Sequence, residues 1–161
     1  MNKLIIIAAI GKNMELGYKN NLIWKIKDDM NHFKETTINH HVLMGENTYF
    51  SLKEPLKDRI NMVLSNSEYK FPSNVIVFNS INEFFEKRKE IKDDIYIIGG
   101  ANVYKEFIDI ADELILTEIE CCTNLCDAYF PNFNKNDYNK VILKEFLDYN
   151  PKFKFIRYIK K

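Results

Sequence analysis

The sequence contains few of the residues on which disulfide-rich and metal-binding proteins depend. Its three cysteines, Cys121, Cys122 and Cys126, are odd in number and two are adjacent, so they do not form a disulfide framework. No histidine lies near them, and the CCxxxC spacing is a poor zinc site. We expect free thiols in a reducing cytoplasm and no metal site, and the sequence assigns these thiols no role.

The sequence also lacks an excess of charge of either sign. Its 23 basic and 23 acidic side chains cancel, which leaves no basic field for a nucleic-acid backbone or a membrane surface. No apolar run approaches the ~20 residues of a membrane span, and the start, MNKLIIIAAIGKN, is typical of a first strand rather than a signal peptide. With 161 residues, we expect one cytoplasmic domain over residues 1–161, with a monomer as the default.

Several catalytic patterns are absent. The three histidines, His32, His40 and His41, make no triad with a placed Ser or Cys, which argues against nucleophilic catalysis. Neither a G-x-G-x-x-G fingerprint nor a P-loop occurs.

The apolar runs that are present predict an α/β fold. Residues 3–10 do not alternate in polarity, which is typical of a strand buried on both faces in the middle of a sheet. Further strands are predicted at residues 41–44, 60–65, 75–77, 95–98, 113–120, 141–148 and 153–159, and helices near residues 28–37, 45–48, 81–88 and 101–109. This order predicts a single-domain doubly wound mixed sheet of about eight strands, mostly parallel, with a C-terminal antiparallel hairpin and four flanking helices. Residues 11–25 are predicted to form a long polar loop that serves as a lid.

The stretch LIWKIKDDMNHFKETT, residues 22–37, carries the only Trp, Trp24, and two adjacent carboxylates. Asp29 lies four residues before Phe33, so on a helix both side chains point toward the same apolar face. A carboxylate in that place either caps the helix or meets a buried ligand. Asp in a first turn usually caps, but of two adjacent Asp residues Asp28 can cap and Asp29 can remain available.

Two strand-to-helix junctions place glycine where a backbone can approach a ligand. Gly45, with Thr48 after it, and the pair Gly99-Gly100 follow buried strands, and the N–H groups of such junctions favour anions. Two junctions on one sheet suit the two phosphates of a dinucleotide, although each alone is a common βα turn.

Three further polar residues are candidates, and two of them have two interpretations each. Arg59 either binds a ligand carboxylate with its guanidinium fork or forms a surface ion pair. Thr117, inside a predicted strand, needs a hydrogen-bond partner, which is either Asp29 or a main-chain carbonyl. Asp127 alone is a turn carboxylate.

In order and spacing these features resemble a bacterial dihydrofolate reductase of the chromosomal type, from end to end. The matching motifs are Ala8-Ala9, Gly17, Trp24, Asp29 before Phe33, Met44-Gly45-x-x-Thr48, Leu56-x-x-Arg59, Ile98-Gly99-Gly100-Ala101-x-Val103-Tyr104, Leu116-Thr117, and Asp127 before Phe130-Pro131. The resemblance implies NADPH-dependent reduction of 7,8-dihydrofolate to 5,6,7,8-tetrahydrofolate, with hydride transfer to C6 and protonation of N5. It also implies that the product supplies one-carbon and thymidylate metabolism and that the protein is a target of antifolates.

The resemblance further implies the roles of individual residues. Asp29 binds the pterin's amino group and ring nitrogen, with Thr117 as its anchor, and promotes N5 protonation through a water that passes Leu22 and Trp24. Arg59 holds the carboxylate of the glutamate tail. The other implied substrate contacts are Ile7, Ala8, Met30, Phe33, Leu52, Leu56, Ile98 and Tyr104. The implied cofactor contacts are Ala9, Gly17, Asn20, Leu22, Gly45, Asn47, Thr48, Ser65, Asn66, Ile98, Gly99, Gly100, Ala101, Asn102, Val103, Tyr104 and Asp127. The Gly99-Gly100 peptide is expected to be cis, and the loop of Asp127 to hold the lid closed.

The chain departs from the family pattern at the adenosine 2′-phosphate, where basic residues are usual. Glu46, Asn66 and Asn102 stand there, so we expect a weakened preference for NADPH over NADH, unless Lys70 or another nearby Lys contacts the phosphate. Ile23 stands where Pro usually precedes the Trp, and the lost φ constraint predicts a more mobile lid.

Two other functions are considered. A related reductase of riboflavin synthesis shares the fold, but Asp29, Trp24 and Arg59 together argue against it. A non-catalytic nucleotide-binding module is the other alternative, and the complete set of residues around Asp29 argues against that.

Overall fold

The computed structural model describes residues 2–161 and has an eight-stranded mixed sheet at its centre. In chain order, the strands are β1 (Leu4–Ile10), β2 (Glu15–Tyr18), β3 (Asn21–Leu22), β4 (His41–Gly45), β5 (Ile60–Leu64), β6 (Val75–Phe78), β7 (Ile95–Gly99), β8 (Glu113–Ile119), β9 (Ala128–Tyr129), β10 (Tyr138–Phe146) and β11 (Phe153–Lys160). The helices are α1 (Lys27–Thr37), α2 (Glu46–Ser51), α3 (Ile81–Lys87) and α4 (Ala101–Phe107), with short 3₁₀ turns at Arg88–Glu90 and Lys135–Asp137. Within residues 2–161 no helix is long and apolar enough to cross a membrane.

The strand order of the large sheet is β10-β11-β8-β1-β7-β4-β5-β6. All neighbours from β8 to β6 pair in parallel, whereas β11 is antiparallel to both β8 and β10. The predicted mixed sheet, mostly parallel with an antiparallel C-terminal hairpin, is therefore confirmed. The turn of that hairpin contains a cis Asn150-Pro151 peptide.

The apolar run of β1 is buried on both faces, as its lack of alternation predicts. Ile6 belongs to the large core cluster that also contains Phe84 of α3 and Phe107 of α4. Ile7 belongs to a smaller cluster against which Phe33 of α1 packs. The sheet is thus covered by helices on both faces, and this arrangement positions α1 over the ends of β1 and β8.

The segment predicted as a long loop carries part of a second, three-stranded sheet. β2 pairs with β3 in a hairpin and also with β9, which lies more than a hundred residues further along the chain. Lys19 and Asn20 connect β2 to β3 with positive φ angles of 49° and 63°. The loop prediction is therefore wrong for these strands, which are too short to produce a pattern of alternation.

The helix α1 begins without a side-chain cap. Its N-cap residue is Ile26, and Asp28 lies within the first turn instead of before it. The predicted capping role of Asp28 is thus wrong, and its carboxylate accepts a hydrogen bond from the Tyr149 hydroxyl at 2.5 Å. In α3, by contrast, the sequence offers Ser80 or Asn82 as the cap, and Ser80 caps the helix by accepting a hydrogen bond from the Glu83 N–H.

Candidate active site

The carboxyl ends of four neighbouring strands meet at one edge of the large sheet. Ala9 on β1 lies beside Thr117 on β8, and Met44 on β4 lies beside Gly99 on β7. Because β8, β1, β7 and β4 are adjacent and parallel, these ends form one continuous rim, which is where open α/β sheets bind ligands. Asp29 joins the start of α1 to this rim.

Asp29 is anchored to β8 by a side-chain hydrogen bond. The Thr117 hydroxyl donates to Oδ1 of Asp29 at 2.5 Å, which decides between the two partners considered for Thr117. Burial raises the pKa of Asp29, while the bond from Thr117 and the nearby His32 offset part of that rise. A carboxyl group with a raised pKa in a cleft is suited to acid–base work.

His32 is a neighbour of Asp29 that the sequence-based prediction did not include. It lies one helical turn after Asp29, and its ring stacks on Phe155 with centroids 3.9 Å apart and planes inclined by 10°. Burial lowers the pKa of His32, although the charges of Asp29 and Glu35 act in the opposite direction. The spacing of three residues from Asp29 was the signal in the sequence.

Tyr104 of α4 reaches the same rim from the other side. Its hydroxyl donates to the Ile7 carbonyl at 2.7 Å, and its ring is almost completely buried. Burial, and secondarily the charge of Asp29, raises the pKa of Tyr104, so the phenol stays neutral. A Cβ on Gly99 would lie 3.5 Å from the Tyr104 hydroxyl, which places Tyr104 between β1 and the glycine pair.

The predicted apolar wall forms two clusters that share Ile98. One contains Ile7 with Phe33, and the other contains Leu52 and Leu56 as partly buried members. The wall therefore joins α1, β1 and β7 to the segment that follows α2. Such a surface suits a flat apolar ring, for which Asp29 would supply the polar contact.

Two other predicted contacts, Leu22 on β3 and Met30 on α1, are more than half exposed, at 53% and 54%. Leu22 lines a cavity together with Tyr18, Ile23 and Leu125. Trp24 is half-buried and packs against the cluster of Ile119, Phe153 and neighbouring residues at the ends of β8 and β11.

Arg59 is held at the end of α1 and does not form the surface ion pair that was one of its two interpretations. Its Nε donates to the Lys57 carbonyl at 2.9 Å, and one terminal nitrogen donates to the Thr37 hydroxyl at 3.2 Å. Within residues 2–161 it takes part in no salt bridge. Burial lowers the pKa of Arg59, with Asp58 opposing that effect, but a guanidinium remains charged and retains donors for a carboxylate ligand.

The glycines at the rim are packed so closely that side chains would not fit without displacement. A Cβ on Gly45 would lie 3.0 Å from the Val103 side chain, and a Cβ on Gly100 would lie 3.3 Å from the Thr48 hydroxyl. Gly99 has a φ of 130°, which L side chains rarely adopt. The Gly99-Gly100 peptide is cis, as expected. Gly45, Gly99 and Gly100 thus form a closely packed stretch of backbone at the rim, the glycine surface, in which Gly45 and Gly100 are partly exposed and Gly99 is buried.

A fixed carboxylate lies at the next strand end. The buried Ser65 hydroxyl donates to Oε2 of Glu46 at 2.6 Å and lies 3.0 Å from the Ser67 hydroxyl. The predicted cofactor contacts Asn47, Asn66 and Asn102 are exposed, and Ala9, Ala101 and Val103 are half-buried, as is the predicted substrate contact Ala8. Within residues 2–161, no basic side chain forms a hydrogen bond or an ion pair with Glu46.

The lid residues are joined to the segment after β8. Asp127 accepts a hydrogen bond from the Lys19 N–H at 3.0 Å, and its own N–H donates to the Gly17 carbonyl at 3.0 Å. Asn20 lies next to this contact, at the tip of the β2–β3 hairpin. The predicted association between the lid and the loop of Asp127 is therefore present in the structure.

Comparisons with known proteins agree with this arrangement. Residues 3–160 match the family model described as dihydrofolate reductase. Among similar curated proteins, the dihydrofolate reductase of Buchnera aphidicola subsp. Acyrthosiphon pisum (strain APS) is 38% identical over 141 residues, which cover 87% of this chain and 86% of the relative. The dihydrofolate reductase of Buchnera aphidicola subsp. Baizongia pistaciae (strain Bp) is 33% identical, with coverage of 89% and 87%. That of Schistosoma mansoni is 35% identical, with coverage of 89% and 86%.

Proposed function

The chain belongs to the dihydrofolate reductase family and is an oxidoreductase that reduces dihydrofolate to tetrahydrofolate, and from that premise we propose that it uses NADPH, protonates N5 and receives hydride at C6. The observation that carries the proposal is the half-buried carboxylate of Asp29, anchored by Thr117 at the rim of the sheet. The remaining assignments follow from the side chains around it.

Asp29 is proposed to bind and orient the pterin. Oδ1 is occupied by Thr117, which fixes the plane of the carboxylate and directs it toward the ligand. A carboxylate held in this way can accept two parallel hydrogen bonds from the pterin's amino group and ring nitrogen. Ile7, Phe33 and Ile98 would cover the ring and exclude water, while the cleft keeps the pKa of Asp29 raised.

The same carboxylate is proposed to favour protonation of N5. A group that binds its proton more tightly than an ordinary carboxylate can share it with a bound water and the ring. Leu22 and Trp24 lie at the lid end of the cleft and would limit the number of waters that reach N5. The reduced nicotinamide supplies the hydride.

Arg59 is proposed to bind the carboxylate of the glutamate tail. Its Nε and one terminal nitrogen are engaged by Lys57 and Thr37, which holds the guanidinium in place. The remaining donors suit a carboxylate, because they form a planar fork.

The glycine surface fits a dinucleotide. Gly45 and Gly100 are partly exposed, and the Thr48 hydroxyl lies beside Gly99 and Gly100. Gly17, Asn20 and Leu22 would contact the nicotinamide half from the lid. Glu46, Asn66 and Asn102 would contact the adenosine half, and the carboxylate of Glu46 there supports use of NADH in addition to NADPH.

The assignment is tested by substituting Asp29 and its neighbour. With dihydrofolate and NADPH, Asp29→Asn should lower kcat/KM by about a hundredfold or more, followed through the near-ultraviolet absorbance of the reduced nicotinamide. Asp28→Asn is the matched control, because Asp28 contacts Tyr149 instead of the cleft, and it should stay within about twofold of the parent. Activity of Asp29→Asn within about tenfold of the parent would defeat the role assigned to Asp29.

The proposal includes a cytoplasmic monomer. Size-exclusion chromatography with light scattering measures the oligomeric state directly. A stable dimer would contradict that part of the proposal.

A further inference from the structure

A buried carboxylate joins the lid to the segment that follows β8. Glu15, on β2, is only 1% exposed, and it forms no salt bridge within the described residues 2–161. Burial of an unpaired charge is costly unless hydrogen bonds compensate it, and such a residue at this place requires an explanation.

Both oxygens of Glu15 accept backbone hydrogen bonds. Oε1 accepts from the Asn13 N–H at 2.8 Å, and Oε2 accepts from the Thr123 N–H at 2.8 Å. The first bond closes a local turn, while the second spans 108 positions and crosses from the lid to the segment after β8. A carboxylate suits this place because it offers acceptors only, and both partners are donors.

The contact mirrors the one made by Asp127. In one direction, Glu15 of the lid accepts from the Thr123 N–H, and in the other, Asp127 accepts from the Lys19 N–H of the lid. Between these two contacts lies a cleft of about 390 Å³, lined by Tyr18, Leu22, Thr123 and Leu125 among others. Side-chain packing is thus incomplete there, and hydrogen bonds join the two segments. Besides the two carboxylate contacts, the Lys12 N–H donates to the Cys121 carbonyl at 2.9 Å and the Phe130 N–H donates to the Met14 carbonyl at 2.8 Å.

The position of Glu15 also bears on Trp24. A Cβ on Gly11 would lie 2.5 Å from Oε1 of Glu15 and 2.9 Å from the Cys121 carbonyl, and it would also touch the Trp24 ring. Glu15, Trp24 and the backbone at Cys121 therefore converge on one point that only glycine leaves open. A displacement of the Glu15 side chain would be transmitted to Trp24 at this point.

We propose that Glu15 is a positioning residue, which fixes the lid and Trp24 relative to the Asp29 cleft through the Thr123 backbone. The inference rests on the proposed function, since the lid is assigned to the nicotinamide half of the cofactor. Loss of the Glu15–Thr123 bond should then loosen the nicotinamide contact and leave the pterin contact at Asp29 unchanged.

The kinetic test compares Glu15→Gln with Glu120→Gln in the full chain. Gln has one acceptor and one donor, so one N–H would face another N–H, whereas Glu120 is exposed and serves as the matched control. Glu15→Gln should raise the KM for NADPH and lower the single-turnover rate by about tenfold each, with the Kd of dihydrofolate within about twofold of the parent. Equal changes in the cofactor and substrate constants, or none relative to Glu120→Gln, would overturn the proposal.

A second measurement does not depend on activity. Amide hydrogen exchange at Thr123 should accelerate by about tenfold or more in Glu15→Gln, and the emission of Trp24, the only tryptophan, should shift. Glu15→Asp serves if the Gln variant folds poorly, because its shorter side chain keeps the charge and both acceptors but does not reach the Asn13 and Thr123 N–H groups together, and the same changes are expected. Exchange at the parent rate would overturn the role of Glu15, whereas a parent enzyme inactive on dihydrofolate would overturn the proposed function alone.

Discussion

The hydroxyl of Thr117 and the carboxylate of Asp29 are 2.5 Å apart, although 88 positions separate them in the chain. One side chain belongs to a buried central strand and the other to the first turn of a helix. The bond therefore couples the catalytic candidate to a strand that is paired with a neighbour on each side. It also partly offsets the rise that burial produces in the pKa of Asp29.

A first prediction concerns the stability of Asp29→Asn. Because its pKa is raised in the folded protein, Asp29 binds a proton more tightly there than in the unfolded chain. The stability from this tighter proton binding is fully present below the ordinary carboxyl pKa, falls as the pH rises above it, and is lost once the pH passes the raised folded value. Asp29→Asn should melt at a higher temperature than the parent at neutral pH, while it loses activity.

Calorimetry of the apo protein checks this prediction over a range of pH. The difference in Tm should shrink as the pH falls below the ordinary carboxyl pKa, because the parent is then protonated as well. A variant that melts below the parent at neutral pH would contradict the prediction.

A second prediction ranks two neighbours of Asp29 by their effect on its pKa. Thr117→Val removes a hydrogen bond that stabilises the carboxylate, and His32→Phe keeps a ring on Phe155 but removes the imidazole. Both changes should raise the pKa of Asp29 further, and the shift should be larger for Thr117→Val, because the direct bond outweighs the more distant imidazole. The pH dependence of kcat/KM measures both shifts, and the reverse order would refute the ranking.

A third prediction concerns the choice between NADPH and NADH. Glu46 is fixed by the Ser65 hydroxyl, so its charge cannot easily move away from a 2′-phosphate. Glu46→Gln should raise the ratio of kcat/KM for NADPH to that for NADH by about five- to tenfold, since the repulsion is removed. The control Glu90→Gln, at an exposed residue before β7, should leave the ratio unchanged. A parent preference for NADPH of about a thousandfold would contradict the premise.

Much of the fold could be predicted from the sequence because its signals are local. The apolar run of β1 does not alternate with polar residues, which indicates a strand buried on both faces. Ser80 directly precedes α3, which is the place of an N-cap residue. The β2–β3–β9 sheet could not be predicted, since two of its strands have two residues each and the third depends on a distant partner. The supposed cap at Asp28 failed because α1 begins at Lys27, which a single sequence does not define to within one residue.

The residues of the candidate site also fall into two groups, those that a local sequence pattern indicates and those that only the fold brings together. The sequence indicates Asp29, Thr117, Gly45 and the pair Gly99-Gly100, because their order and spacing are specific. The burial of Glu15 and the stacking of His32 on Phe155 depend on contacts across more than a hundred positions, which no local pattern reports.

A fourth prediction concerns Glu113, a buried carboxylate at the start of β8. Its Oε2 lies 3.1 Å from Lys3 Nζ, and its Oε1 accepts a hydrogen bond from Arg157. Burial raises the pKa of Glu113, but the bonds from Arg157 and Lys3 outweigh it, so the pKa is lowered. A lowered pKa contributes stability above the ordinary carboxyl pKa, and this contribution is lost as the pH falls through the lowered folded value.

Glu113→Gln should therefore reduce the free energy of unfolding at neutral pH by roughly 1–3 kcal/mol. Lys3→Met, at a half-exposed lysine, should cost less than about 1 kcal/mol. Urea unfolding measures both effects. A loss in Glu113→Gln that stays the same in acid would contradict the assigned cause.

The last prediction concerns Gly11, on which Glu15, Trp24 and the Cys121 carbonyl converge. A methyl group there would lie 2.9 Å from a backbone oxygen that cannot rotate away, and it would press on the Trp24 ring. Gly11→Ala should therefore lower stability by about 1–3 kcal/mol and shift the emission of Trp24, because the ring must move. Gly100→Ala is the control, since its Cβ would meet only the Thr48 hydroxyl at 3.3 Å, and Trp24 emission should match the parent. Unchanged emission and Tm in Gly11→Ala would show that this convergence does not hold Trp24 in place.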